Sequence, residues 1–384
     1  MTELWLIIWG VSFIRFFSGF FDAKLHNELA PKSSFTIALD ILFSLGILFL
    51  ITSNVTGNDI VNYASKFNYN FDDSIRERFF YLLRVTAYQY NINFFTFRTI
   101  LQFVASLFLL HIFRICKISF AGFLLFYMPI LLFMDSMQFR NSICIWILAF
   151  AIGLLTDSKK NRQFLCLIII ILIAQIHSAF IFYILFLLYP FFEKYKRFYR
   201  FFYTFIIFFS FIVILNGNKI PYLDIILKYV LDSSDTRISL YSTTARWGFI
   251  IPTFIQIILL YIMSVGYKIL RFCEFDNLEC KNVTYYSIVL FLNKISLLFV
   301  PFMMMNITYY RFLRNGYFLA IIAIIGIINL IPEKVNKIYL LLSLSVVTVL
   351  WVMFEVVVYD TPENIIYPIL KEGMPFFYSN KYFK

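Results

Sequence analysis

Residues 164–192 read FLCLIIIILIAQIHSAFIFYILFLLYPFF, an apolar stretch interrupted only by Gln175, His177 and Ser178 around Ile176. Read as one membrane helix, or as two short helices meeting at the histidine, it sends every later residue to opposite sides of a membrane. The flanks decide between them. DSKKNRQ (157–163) and EKYKRFYR (193–200) are both basic, and short basic loops mark the cytoplasmic side. A single crossing would leave one of them outside, whereas an out-and-back pair keeps both inside. Two full spans need roughly 40 residues, so both arms are short. A break at that depth is tolerated where backbone lines a cavity. The stretch therefore reads as a broken helix pair with His177 at its outer end.

The rest of the chain has the same character. Of 384 residues, 61% are hydrophobic and 14% charged, with mean hydropathy +0.80. A soluble domain cannot bury that much apolar surface. Apolar runs recur from end to end, which predicts an all-α, polytopic membrane bundle. Spans are expected near 4–21, 35–53, 94–113, 119–135, 141–156, 164–176, 178–192, 201–215, 247–267, 284–305, 312–331 and 338–357. That makes about twelve at the usual span length, in a single domain over 1–384 with both termini outside. The first span, in MTELWLIIWGVSFIRFF, has no basic leader or cleavage site before or after it and reads as retained. The basic loops RICK (114–117) and PEKVNK (332–337) join the other two inside. Extracytoplasmic loops are expected near 54–93 and 216–246.

Cys116, Cys144, Cys166, Cys273 and Cys280 lack metal-ligand spacing and read as inert thiols. No phosphate-binding glycine loop, dinucleotide fingerprint or metal cluster is present in the sequence. No cofactor, metal or nucleic-acid partner is expected, and a glycosyl donor would have to be lipid-linked and reached from the membrane.

Arginines gather at outer helix ends: Arg140 in MDSMQFRNSI, Arg246 in STTARWGF, and Arg311 and Arg314 in NITYYRFLRNGYF. Snorkelling anchorage is one reading of Arg140. Two cations three residues apart at a helix start oppose the helix dipole, however, and a bound anion would resolve the conflict. Arginine also suits bidentate phosphate binding. His177 is either a packed core histidine or a contact for a phosphate or an acceptor hydroxyl. Asp59, in TGNDIVNYASKF, is either a helix cap or a base for a sugar hydroxyl. Asp224, Asp232 and Asp235 read as solvated loop residues. Arg15, Arg98 and Lys294 lie within spans and are expected to snorkel.

Four segments resemble the EpsG family of Wzy-like bacterial polysaccharide polymerases. TGNDIVNYASKF resembles the family's stretch after its second span, and ERFFYLLRVTAYQYNINFFTF its Glu-Pro-Gly-Phe segment. SMQFRNSI through the His177 stretch resembles the block in which an Arg-Gln pair opens a helix before a histidine. ITYYRFLRNGYF resembles the late aromatic-Arg motif. Asn141 stands where glutamine is expected, and ERFFY lacks the proline and glycine. The resemblance implies a bacterial inner-membrane glycosyltransferase that joins undecaprenyl-pyrophosphate-linked oligosaccharide units at the outer face. Arg140, Arg246, Arg311 and Arg314 would hold pyrophosphate, with His177, Arg140, Arg311 and Asp59 as candidate catalytic residues. Membrane lipids are expected partners, as are a flippase and a chain-length regulator of the same pathway. The product would be a capsule, an exopolysaccharide or an O-antigen. An O-antigen ligase-like transferase, a polysaccharide O-acyltransferase and a lipid-linked oligosaccharide flippase are the competing readings.

Overall fold

The decisive stretch breaks where its polar residues lie. A helix over Lys160–Ala174 ends just before Gln175, and a 3-10 helix runs over Ser178–Leu188 into an α-helix over Tyr189–Lys194. His177 between them is extended (φ −143°, ψ 106°). The two arms pack against each other, so the chain turns back at the histidine. The 3-10 geometry also lengthens the second arm. At about 2.0 Å rise per residue, eleven residues advance ~22 Å, and the following α-turns add ~9 Å, which matches a ~30 Å hydrocarbon layer.

The computed structural model describes residues 1–21, 34–67, 77–116, 118–156, 160–222, 247–270, 277–328, 330–331, 333–359 and 362–374. Its α-helices, in chain order, begin with α1 (Thr2–Phe21), α2 (Ser34–Thr52), α3 (Asn58–Phe67), α4 (Arg78–Gln89) and α5 (Phe94–Ile115). Next come α6 (Phe120–Tyr127), α7 (Leu131–Met137), α8 (Phe139–Leu155), α9 (Lys160–Ala174), α10 (Tyr189–Lys194) and α11 (Arg197–Leu215). The series closes with α12 (Ile250–Leu270), α13 (Asn277–Ser296), α14 (Val300–Met305), α15 (Arg311–Ile328), α16 (Lys334–Met353), α17 (Pro362–Ile365) and α18 (Tyr367–Leu370). No strand occurs among the described residues. Six helices are long and apolar enough to cross a membrane, or seven if one bent pair counts as a span. The protein is therefore a multi-pass helical membrane protein, but the expected twelve crossings are not reached on length and composition. Outward-facing side chains such as Phe201, Ile207 and Leu215 on α11 are exposed, as an apolar solvent requires.

The structure corrects two expectations, on the span over 119–135 and on Arg98, and adds helices to the segment over 54–93. The span expected over 119–135 is two helices, α6 and α7, bent by 75°. Pro129 sits in the break, where it has no N–H to continue the ladder. Carbonyls near the break find donors on α1: Trp9 Nε1 donates to Leu125 O (3.1 Å) and Trp5 Nε1 to Met128 O (3.3 Å). The region expected as a loop over 54–93 carries α3 and α4. Arg98 does not snorkel. It is buried and donates to the backbone carbonyls of Asn54 (2.7 Å) and Thr52, which the end of α2 leaves unpaired. Arg15 pairs with Asp40 at 2.8 Å, and the Lys294 ammonium lies 4.6 Å from the Tyr199 ring centre. Cys116, Cys144 and Cys166 are buried free thiols. Arg246, Asp224, Asp232, Asp235, Cys273 and the Cys280 side chain lie outside what is described.

The core is centred on α15, whose residues are buried almost throughout, packed along α13 and contacting α6, α12 and α16. Gly316 permits the close approach of α13. A Cβ there would lie 2.5 Å from Asn293 Oδ1. Asn293 in turn donates to Gly316 O (3.1 Å) and accepts from Gln256 Nε2 (3.0 Å). Gly316→Val is therefore expected to destabilise the fold by about 1–3 kcal/mol, through overpacking and a disrupted buried network. Thermal unfolding of the detergent-purified protein checks it, and an unchanged midpoint would contradict this account of the α13–α15 contact.

Candidate functional site

Two helix starts are locked side by side. Asn141 on α8 and Asn315 on α15 exchange amide hydrogen bonds of 3.0 and 3.1 Å. Each is the direct neighbour of an arginine, Arg140 and Arg314. The reciprocal pair thus brings residues 138–141 and 311–315 together, although they are far apart in the chain.

Arg140, in the first turn of α8, lies between aromatic faces. Its guanidinium carbon is 4.9 Å from the Tyr63 ring centre and 5.1 Å from that of Phe80. Nε donates to Tyr63 Oη (3.2 Å) and Nη1 to Glu77 Oε2, an ion pair about one-fifth exposed on both sides. The second Glu77 oxygen accepts the Ser178 backbone N–H at 3.0 Å. Phe80 N–H donates to Gln175 O at 3.2 Å. The start of α4 is thereby tied to the turn that carries His177.

His177 lies in that turn, outside both helices. Its Nδ1 is buried with no hydrogen-bond partner. Burial first, then the nearby charges of Arg140 and Arg311, push its pKa down and hold the imidazole neutral.

Arg311 and Arg314 open α15 but differ in their surroundings. Arg314 is 2% exposed, donates to Gln138 Oε1 (2.5 Å) and Tyr310 Oη (3.1 Å), and lies 3.5 Å from Glu355 Oε1. Tyr310 Oη donates to Glu355 Oε2 at 2.8 Å. Glu355 comes from a π-helix over Phe354–Tyr359, a widened turn of the kind often found at functional sites. Arg311 has no hydrogen bond or ion pair among the described residues, and its Nε is buried without a partner. Its charge is felt both at His177 and at Glu355, so it lies near each of them.

The structure therefore brings Arg140, His177, Arg311 and Arg314 together. Asp59 sits in the first turn of α3, four residues before the Tyr63 that holds Arg140, and makes no hydrogen bond or ion pair among the described residues. Glu77 and Glu355 were not singled out from the sequence. Glu355 carried a signal, a lone carboxylate inside the apolar run WVMFEVVVY. Glu77 opened a motif segment but had no visible partner.

The chemistry follows from the charges. Three arginines stand at the N-terminal ends of two helices, where the dipole favours anions. Carboxylates pair with Arg140 and Arg314, while Arg311 makes no ion pair among the described residues. Such a site can accept an anionic group and stabilise further negative charge as it develops. The family model described as EpsG family matches residues 37–369. No curated protein and no solved structure matches the chain.

Proposed function

This chain belongs to the EpsG family, and on that premise we propose that it polymerises undecaprenyl-pyrophosphate-linked oligosaccharide repeat units at the outer face of the bacterial inner membrane. The family alone supports a membrane polysaccharide polymerase-like protein. The finer reading rests on one observation: Arg311, with no hydrogen bond or ion pair among the described residues, stands near His177 and in company with Arg140 and Arg314.

A hydroxyl of one lipid-linked unit attacks the anomeric carbon of the chain carried on the other. The bond to pyrophosphate breaks, and its electron pair leaves on the pyrophosphate. Arg311 and Arg140 receive that charge, and Arg314 supports it from behind. His177, neutral and with Nδ1 unused, is a hydrogen-bonding partner for a phosphate oxygen or for the acceptor hydroxyl.

The test is a product gel. Purified protein in lipid vesicles receives undecaprenyl-pyrophosphate-linked repeat units and no nucleotide sugar. A ladder of chain lengths is the expected result. No ladder, from protein shown to move the lipid between leaflets, would overturn the reading in favour of a flippase.

A further inference from the structure

The transfer releases a proton from the acceptor hydroxyl, and something must take it. The described carboxylates near the arginines differ in access. Glu355 is 0% exposed and Asp135, held by Tyr127 Oη (2.8 Å) and Trp146 Nε1 (3.3 Å), is 4% exposed. Asp59 has no tie to the arginines. His177 can hydrogen-bond a substrate oxygen, but burial and the nearby charges of Arg140 and Arg311 make its imidazole a poor proton acceptor. Glu77 differs from all of these. Its side chain is 20% exposed, one oxygen lies on Arg140, and the other lies on the N–H of the residue after His177.

We propose that Glu77 is the proton acceptor of the transfer, held on Arg140 in the substrate-free chain and released toward the acceptor hydroxyl when a pyrophosphate takes its place. This rests on the transfer reaction proposed above. Arg140 can make the exchange without losing its position, because Tyr63 and Phe80 hold the guanidinium independently of Glu77. A dianionic or trianionic pyrophosphate outcompetes a single carboxylate for an arginine. A carboxylate released from its cation is free to meet the acceptor hydroxyl.

In the step itself, the acceptor O–H proton passes to a Glu77 oxygen and the acceptor oxygen bonds to the anomeric carbon. The anomeric C–O bond to pyrophosphate breaks, with its electron pair staying on the pyrophosphate against Arg140 and Arg311. Donor binding would thereby arm the base.

The experiment pairs two readouts on the full chain: inorganic pyrophosphate binding to protein in lipid nanodiscs, and polymer made by cells carrying only the variant. Glu77→Gln keeps the shape and removes the charge. It should bind pyrophosphate about tenfold tighter, the order expected for removing one competing ion pair, while polymer falls by roughly a hundredfold. Wild-type polymer in Glu77→Gln would overturn the proposal. Loss of polymer together with loss of pyrophosphate binding would also overturn it, because Glu77 would then only hold Arg140 in place. Should Glu77→Gln not accumulate, Glu77→Asp retains the ion pair but withdraws the base by one methylene. Its pyrophosphate affinity should stay within about threefold while polymer drops about tenfold, and undiminished polymer would refute the role. A wild-type chain that binds no pyrophosphate at all sinks the transfer reading itself, a result separable from every Glu77 outcome.

Discussion

Arg311→Ala is expected to abolish polymer while the protein accumulates in the membrane at its normal level. The two halves of this result have separate physical causes. Arg311 has no hydrogen bond or ion pair among the described residues, so its removal leaves no orphaned carboxylate. Its charge also opposes the dipole at the start of α15, so losing it costs the fold little. Stability should change by less than about 1 kcal/mol. Activity answers to a different quantity. A leaving pyrophosphate gains negative charge as the bond breaks, and Arg311 is a nearby cation with no ion pair among the described residues. Removing one such preorganised group costs roughly 10²–10³ in rate. Arg311→Lys should recover only part of this, because an ammonium lacks the planar fork that holds two phosphate oxygens. The measurement is surface polysaccharide on a gel beside membrane abundance of the tagged protein. Normal polymer from Arg311→Ala would remove the pyrophosphate role from this residue.

The same contrast explains what was legible in the sequence. Hydropathy and basic loops located most helices, because a membrane fixes both the length and the composition of what crosses it. The break at His177 was legible in the polar residues around it and in the basic segments on either side. The bend between α6 and α7 was missed. Pro129 was the available signal, but the indoles of Trp5 and Trp9 that meet the carbonyls there come from a distant part of the chain. Arg98 was misread because the carbonyls it binds belong to the end of another helix. The arginines were visible as candidates, since a cation at a helix start conflicts with the dipole. Their countercharges were not, because pairing is a property of the packed bundle. Glu77 lies 63 residues from Arg140, and no local pattern joins them. Pattern showed where charge is costly, and only tertiary structure showed which charges are already balanced.

Arg314 answers in the opposite way to Arg311. Arg314→Met is expected to lower stability by about 3–5 kcal/mol, the cost of leaving one member of a buried pair alone. The partner left behind is Glu355, which is 0% exposed and would retain only the Tyr310 hydroxyl. Gln138 Oε1 would also lose its 2.5 Å donor. Glu355→Gln should be similarly damaging, since it removes the carboxylate that lies 3.5 Å from a guanidinium only 2% exposed. The double variant Arg314→Met with Glu355→Gln should recover most of the loss. Neither charge is then buried unpaired, and the glutamine carbonyl still accepts from Tyr310. A double-mutant cycle on thermal or chemical unfolding in detergent reads the coupling directly, and additive losses would refute the ion-pair account. The recovered double variant also separates fold from function. If it accumulates normally and still makes no polymer, the Arg314 charge acts on substrate phosphate. If polymer returns with stability, Arg314 serves only to hold α15 against the π-helix, and the pyrophosphate site is left to Arg140 and Arg311 among the described residues.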